Sequence, residues 1–277
     1  MIIRCWGARG SIPVSGPEYL KYGGDTTCLE IRTKHDDIII VDAGSGIRRL
    51  GNALMTEGRR DYNMFFTHAH WDHLLGFPFF KPIYYPGTEI NMFGCPFPQI
   101  SVQELISQVM AAPHFPIEYQ NIRCEISYHQ TCGDRFSINE MTVTSFPLSH
   151  PNEGMGYRFE EDGKSFVFLT DNELSYIHPG GRGFDDYVGF AAGADLLIHD
   201  AEFREDDYKQ TWGHSTYNDA VRLALAAGVK TLGLFHHNQE RTDVGVDDIL
   251  ARSIAMVREC QGLLTCCAVY RDMQFIV

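Results

Sequence analysis

Met64-Phe65-Phe66-Thr67-His68-Ala69-His70-Trp71-Asp72-His73-Leu74-Leu75-Gly76 decides how the rest of this 277-residue chain is read. Its apolar start reads as the end of a buried strand. Leu74-Leu75-Gly76 can begin a helix. Three histidines and an aspartate therefore sit where a strand gives way to a helix. His68 and His70 are two apart, which in extended chain puts both imidazoles on one side. Asp72 and His73 lie where the chain curls and can face the same point from another direction. Neutral imidazole and carboxylate suit zinc and its first-row neighbours. Four ligands in six residues exceed what one tetrahedral ion takes from so short a segment. The spacing points to two adjacent metals, the His pair on one and Asp72-His73 on the other. Polar loop residues satisfied by hydrogen bonds are the bland alternative, and a lone histidine would fit it better than this cluster does.

Outward from this stretch, further candidate ligands fall at strand ends. Ile38 to Val41 is a buried strand ending at Asp42, which could buttress the metal loop from behind or cap the next helix. Thr142 to Phe146 leads to His150, the expected form of a further imidazole ligand. Phe166 to Leu169 leads to Asp171. Leu196-Leu197-Ile198 leads to His199-Asp200-Ala201-Glu202, and Leu232 to Phe235 leads to His236-His237. His214 precedes a helix through Ala220, Leu223 and Ala227, with Ser215 a plausible N-cap. Near the start, Gly7 to Pro13 is a glycine-rich loop. Its backbone, with Arg9 and Ser11, could face an anion, and a plain turn is an equal alternative. With His237, these are the candidate substrate contacts.

Residues 77–119 differ in character. They hold nine aromatic rings, among them Phe97, and seven of the chain's twelve prolines. A helix is expected from about Val102 to Met110. The segment reads as an insertion over the site rather than as part of a sheet; such segments often do no more than cover a core, and the functional alternative is a lid or partner surface.

The composition, 44% hydrophobic and 21% charged, is that of a chain with a sizeable core. Strands and helices alternate without a linker or repeat, so one α/β domain over 1–277 is expected. The formal net charge of −13 argues against a broad electrostatic grip on nucleic acid. No apolar run approaches membrane-spanning length, and Met1 to Trp6 reads as a strand rather than a secretory leader. A cytoplasmic protein is expected. The eight cysteines are scattered without a C-x-x-C pair and read as small buried thiols.

His-x-His-x-Asp-His after a strand resembles the metallo-β-lactamase superfamily. The resemblance implies a four-layer αββα sandwich with the site at one edge. It assigns His68, His70 and His150 to a first metal and Asp72, His73 and His236 to a second, with Asp171 bridging. The implied cofactors are two divalent ions, zinc by default, with manganese or iron also compatible. His70 stands where the diiron flavoprotein branch has glutamate, and Asp171 where zinc β-lactamases have cysteine. Ile198-His199-Asp200-Ala201-Glu202 and His214-Ser215-Thr216 look like the His-Glu-Ala and His-Ser-Thr motifs of the phosphodiesterase branch, with Asp200 in place of Glu. That branch includes ribonuclease Z and cyclic phosphodiesterases.

A metal-dependent phosphodiesterase is therefore expected. Asp72 would orient the nucleophile, and His214, held by Asp200, would serve the leaving group. Low charge, abundant rings and the shortness of Pro179 to Gly183 favour a small cyclic mononucleotide over nucleic acid. A tRNA 3′-processing endonuclease is the alternative, with a lactonase or thioesterase behind it. A homodimer through residues 77–119 is also expected.

Overall fold

The computed structural model describes residues 1–95, 101–131, 133 and 135–277; Phe97 lies outside them. Fourteen strands are assigned to two seven-stranded sheets among the described residues. The first sheet contains β1 (Ile2–Gly7), β2 (Cys28–Arg32), β3 (Ile38–Val41), β4 (Asp61–Phe65), β5 (Glu89–Gly94), β6 (Glu125–Gln130) and β14 (Gln274–Ile276), in the order β14-β1-β2-β3-β4-β5-β6. The second contains β7 (Arg135–Ile138), β8 (Met141–Pro147), β9 (Met155–Glu161), β10 (Lys164–Leu169), β11 (Leu196–Asp200), β12 (Thr231–Phe235) and β13 (Thr265–Ala268), in the order β13-β12-β11-β10-β9-β8-β7.

The central strands are continuously apolar because both of their faces are covered. In β3, Ile39 and Val41 join Phe65, Phe166, Phe168 and Ile198 in the core between the sheets. Ile38 and Ile40 point the other way, onto α1 (Ile47–Thr56) and α3 (Val102–Val109) through Leu50, Leu54 and Ile106. Val167, Leu169 and Leu197 of the second sheet pack on α4 (Phe184–Ala191), α5 (Tyr217–Ala226) and α6 (Asp243–Glu259). The outcome is the αββα layering.

Residues 77–119 do not form a pure insertion. Ile90 and Met92 alternate inward along β5, which pairs in parallel with both β4 and β6. Phe77, Phe80 and Ile83 are fully buried under the same sheet, so much of this aromatic run is core rather than a free partner surface. Cys95 is disulfide-bonded, against the expectation of thiols throughout.

Parallel pairing of β3 with β4, and of β10, β11 and β12 with one another, gathers their C-terminal ends at one edge. Loops at such ends build sites. The sheets are tied there, because Tyr157 Oη donates to the Phe66 carbonyl at 2.7 Å and the Met155 N–H to that of Thr67 at 2.7 Å.

Candidate metal centre

The helix after β4 begins earlier than expected. This α2 (Trp71–Leu74) is four residues long and carries Asp72 and His73 itself. The strand-end residues Asp42, Asp171 and His236 have φ of 64°, 53° and 55°. A left-handed residue turns the chain sharply and aims its side chain away from the strand direction. Asp171 and His236 are thereby brought to the metal loop.

His68, His70, His150 and Asp171 form one group whose potential ligand atoms lie within 4.8 Å of one another. Asp72, His73, Asp171 and His236 form a second. Asp171 belongs to both, with Oδ2 3.5 Å from His68 Nε2 and 3.3 Å from His236 Nε2. His73 Nε2 lies 3.3 Å from both Asp72 Oδ2 and Asp171 Oδ1.

Asp42 buttresses the loop and does not cap α1, whose N-cap position is Gly46. Its carboxylate accepts from the Thr67 N–H at 2.8 Å, from Thr67 Oγ1 at 2.7 Å and from His73 Nδ1 at 2.7 Å. His150 Nδ1 donates to the Gly213 carbonyl at 2.8 Å, and His236 Nδ1 to Glu202 at 3.0 Å. These bonds place the Nδ1 proton on each ring and leave each Nε2 lone pair facing the cluster. Lone pairs facing carboxylates, as His68 Nε2, His73 Nε2 and His236 Nε2 face Asp171, need positive charge between them. His68 Nε2 and His73 Nε2 are buried without a hydrogen-bond partner. The donor set thus fits divalent cations.

The electrostatics show the same demand for positive charge at the cluster. Burial opposes charge on His73, but Asp72, Asp171 and Asp42 outweigh it and hold its pKa well above the usual value. Burial, and then the neighbouring His73, pushes His68 well below it. Burial works against ionised Asp171, yet His236, His73 and His68 hold its pKa well below the ordinary carboxylate range. The carboxylates are poised as anions awaiting cations.

His214 stands beside the second group. Its nearest carboxylate is Glu202, 3.4 Å from Nε2, whereas Asp200 Oδ2 is 3.8 Å from Nδ1, beyond hydrogen-bond distance. Asp200 instead accepts the backbone N–H of Ser215 at 2.7 Å and of Asn172 at 3.0 Å. The shorter aspartate holds the chain around His214 rather than its ring. Ser215 does not cap α5; Thr216 does, by accepting from the Asp219 N–H.

The candidate substrate contacts divide. Ser11 is exposed, and its N–H donates to Asp72 Oδ2 at 2.9 Å. Arg9 is fully buried, and its guanidinium donates to the carbonyls of Gly23, Asn238 and Arg241, so it offers no charge to a ligand. His237 is buried with Nε2 on the Val269 carbonyl at 2.7 Å, and burial lowers its pKa to about 3. Both build the scaffold under Gly10, where an added Cβ would meet the His236 ring at 2.3 Å.

Sequence reading passed over Glu173. This buried carboxylate accepts from His178 Nε2 at 2.7 Å, from Tyr208 Oη at 2.5 Å, and from the Thr211 and Gly213 N–H groups at 2.8 Å each. It anchors the loop that delivers His214. Its place two residues after Asp171 was the available signal.

Residues 38–237 match the family described as Beta-lactamase superfamily domain. The chain is 26% identical over 243 residues to a ribonuclease Z of Thermococcus gammatolerans, covering 72% of this chain and 74% of that protein. It is 27% identical over 256 residues to a ribonuclease Z of Methanothermobacter thermautotrophicus, covering 75% and 80%. Among solved structures, the metallo-β-lactamase fold protein YhfI from Bacillus subtilis superposes with a TM-score of 0.71 at 18% identity, covering 99% of this chain and 98% of that one.

Proposed function

The chain belongs to the beta-lactamase superfamily as one of its hydrolases, and from that premise we propose a dinuclear, zinc-type phosphodiesterase that cleaves RNA at the 3′ side of tRNA precursors. The observation that carries the chemistry is the pair of four-residue ligand groups sharing Asp171. The relatives named ribonuclease Z support the RNA substrate and count against the cyclic mononucleotide expected from the low charge, the aromatic run and the short 179–183 segment.

His68, His70 and His150 would hold one ion and Asp72, His73 and His236 the other, with Asp171 common to both. When bound, such ions supply Lewis-acid stabilisation of phosphoryl oxygens and ease deprotonation of water. Asp72 Oδ2 accepts the Ser11 N–H and faces His73 Nε2 and His236 Nε2 as the oxygen that would meet an ion, which leaves Oδ1 to orient the attacking water and take its proton. His214 Nε2 addresses Glu202, so a protonated His214 carries its second proton on Nδ1, on the Asp171 side. That proton goes to the leaving oxygen as the P–O bond breaks. Glu202, not Asp200, orients the ring.

A small cyclic phosphate is the second reading. It is favoured by the −13 charge and by Lys81 being the only Lys or Arg between residues 77 and 119. Zinc- and manganese-replete protein should be assayed against precursor tRNA, cyclic mononucleotides and a lactone panel. Cleavage of precursor tRNA with a steep salt dependence is expected, because a polyanion is held through several phosphate contacts. Turnover of cyclic nucleotides without tRNA cleavage would reverse the two readings. Turnover confined to lactones would remove both.

A further inference from the structure

A cavity of about 570 Å³ opens beside the metal-ligand loop. Ala69, Trp71 and Phe79 line it from that loop and the turn that follows. Leu105, Val109 and Phe115 line it from α3 and the segment beyond. We infer that this cavity receives a planar, uncharged ring of the substrate, the nucleobase adjoining the scissile phosphate. The inference rests on the phosphodiesterase reading and names what that site recognises.

The cavity and the ligand groups share one loop. His68, His70 and Asp72 belong to the ligand groups, while Ala69 and Trp71 between them line the cavity. One short stretch therefore serves both, and a nucleotide has its base and phosphate separated by only a sugar. The lining contains no Lys, Arg, Asp or Glu, so the cavity is unsuited to a phosphate and suited to a ring. Its polar side chains, Gln108 and His114, are exposed and can reach a base edge. Trp71 is 79% exposed and Phe79 52%, although each is a large ring that would gain by being covered. Phe79 meets Phe115 edge-to-face, with 5.5 Å between centroids, so the two rings form one corner. The volume is that of a small-ligand pocket.

The test is calorimetric titration of the zinc-replete protein with methylphosphonate, 1-naphthylphosphonate and adenosine. The two phosphonates share one anionic head and differ in the ring. The naphthyl compound should bind about tenfold tighter or better, the scale of one aromatic stack. Trp71→Ala and Phe115→Ala should each shrink that advantage. Trp71 is exposed, so its truncation should leave the fold and metal content as they were, and both are measured alongside. Equal affinity of the two phosphonates in the wild type, or an advantage that survives both substitutions, overturns the inference. So does a Trp71→Ala that splits a dimer into monomers, because the cavity would then belong to a second copy of the chain. If diesters are still hydrolysed, such a failure leaves the proposed chemistry standing. Conversely, adenosine binding that depends on Trp71, without phosphonate binding or diester turnover, supports the cavity and removes the chemistry.

Discussion

The imidazoles of His214 and His236 stack, with 4.7 Å between ring centroids and 20° between planes, and Glu202 receives a nitrogen of each. A metal-ligand candidate and a proton-donor candidate thus share one carboxylate. Burial works to raise the Glu202 pKa, but His214 and His236 bring it below its usual value. Asn238 Nδ2 donates to its other oxygen at 2.8 Å, so the carboxylate is held at both ends. Rotation of either ring would cost a charge-assisted contact.

If His214 protonates the leaving oxygen, His214→Ala should lower turnover of an unactivated diester about a hundredfold or more. Metal content should not change. With p-nitrophenolate as leaving group the loss should shrink, since that group departs without a proton. An equal loss on both substrates would take His214 out of the acid role.

The two nearby carboxylates should separate in a paired experiment. Glu202→Gln should reduce turnover and also weaken metal retention, because it serves both His214 and His236. Asp200→Asn should act mainly on stability. It exchanges one acceptor of a buried backbone N–H for a donor, which costs about 1–3 kcal/mol. Denaturant melts and elemental analysis of both variants decide this. The opposite pattern would restore Asp200 as the partner of His214.

Metal stoichiometry tests the shared Asp171. Protein purified without chelator should approach two ions per chain by elemental analysis. His73→Ala should lower that number and activity together. A firm value of one in metal-supplemented wild type would rule out the dinuclear reading.

The seven ligand candidates were legible because they follow short apolar strands, and strand ends in such a sheet converge in space. Four of them lie within six residues, so local spacing alone marked the centre. What was not legible depended on distant partners. Arg9 looks available in a glycine-rich loop, but two of its acceptors are carbonyls more than 200 residues away. Asp200 and Glu202 are two apart, and no local pattern says which faces His214. β5 was hidden because prolines and rings around Glu89–Gly94 masked a short inward alternation of Ile90 and Met92. The layering was legible from the resemblance; periodicity alone reached only α/β.

Gly213→Ala should disrupt the first ligand group without touching a ligand. Gly213 has φ of +89°, and an added Cβ would meet His150 Nδ1 at 2.1 Å and Pro151 Cδ at 2.4 Å. Its carbonyl also accepts the His150 proton. The substitution is expected to cost at least about tenfold in metal affinity, the usual scale for losing a bond that orients a ligand. Metal titration reads the loss directly. Unchanged affinity would mean that the loop can move without displacing His150.

Acid should expose a weakness at His199, on β11. The ring is fully buried, with Nδ1 on the Asp200 carbonyl at 2.8 Å and Nε2 3.2 Å from the Asn172 amide nitrogen. Nδ1 therefore donates while Nε2 accepts, and the ring is neutral. Burial is the chief cause that lowers its pKa to about 4. An unfolded histidine titrates near 6.5, so between these values the unfolded chain binds the extra proton. Stability from this group is complete above about pH 6.5 and declines as pH falls towards 4. The full decline is about 3.5 kcal/mol at roughly 1.4 kcal/mol per unit. His199→Gln cannot titrate, so its stability should fall less steeply than the wild type's across that window, though it starts lower at pH 7.5. The difference between the two, from urea unfolding at several pH values, isolates His199 from the ligand histidines common to both. Parallel curves would show that His199 takes up its proton in the folded protein without penalty.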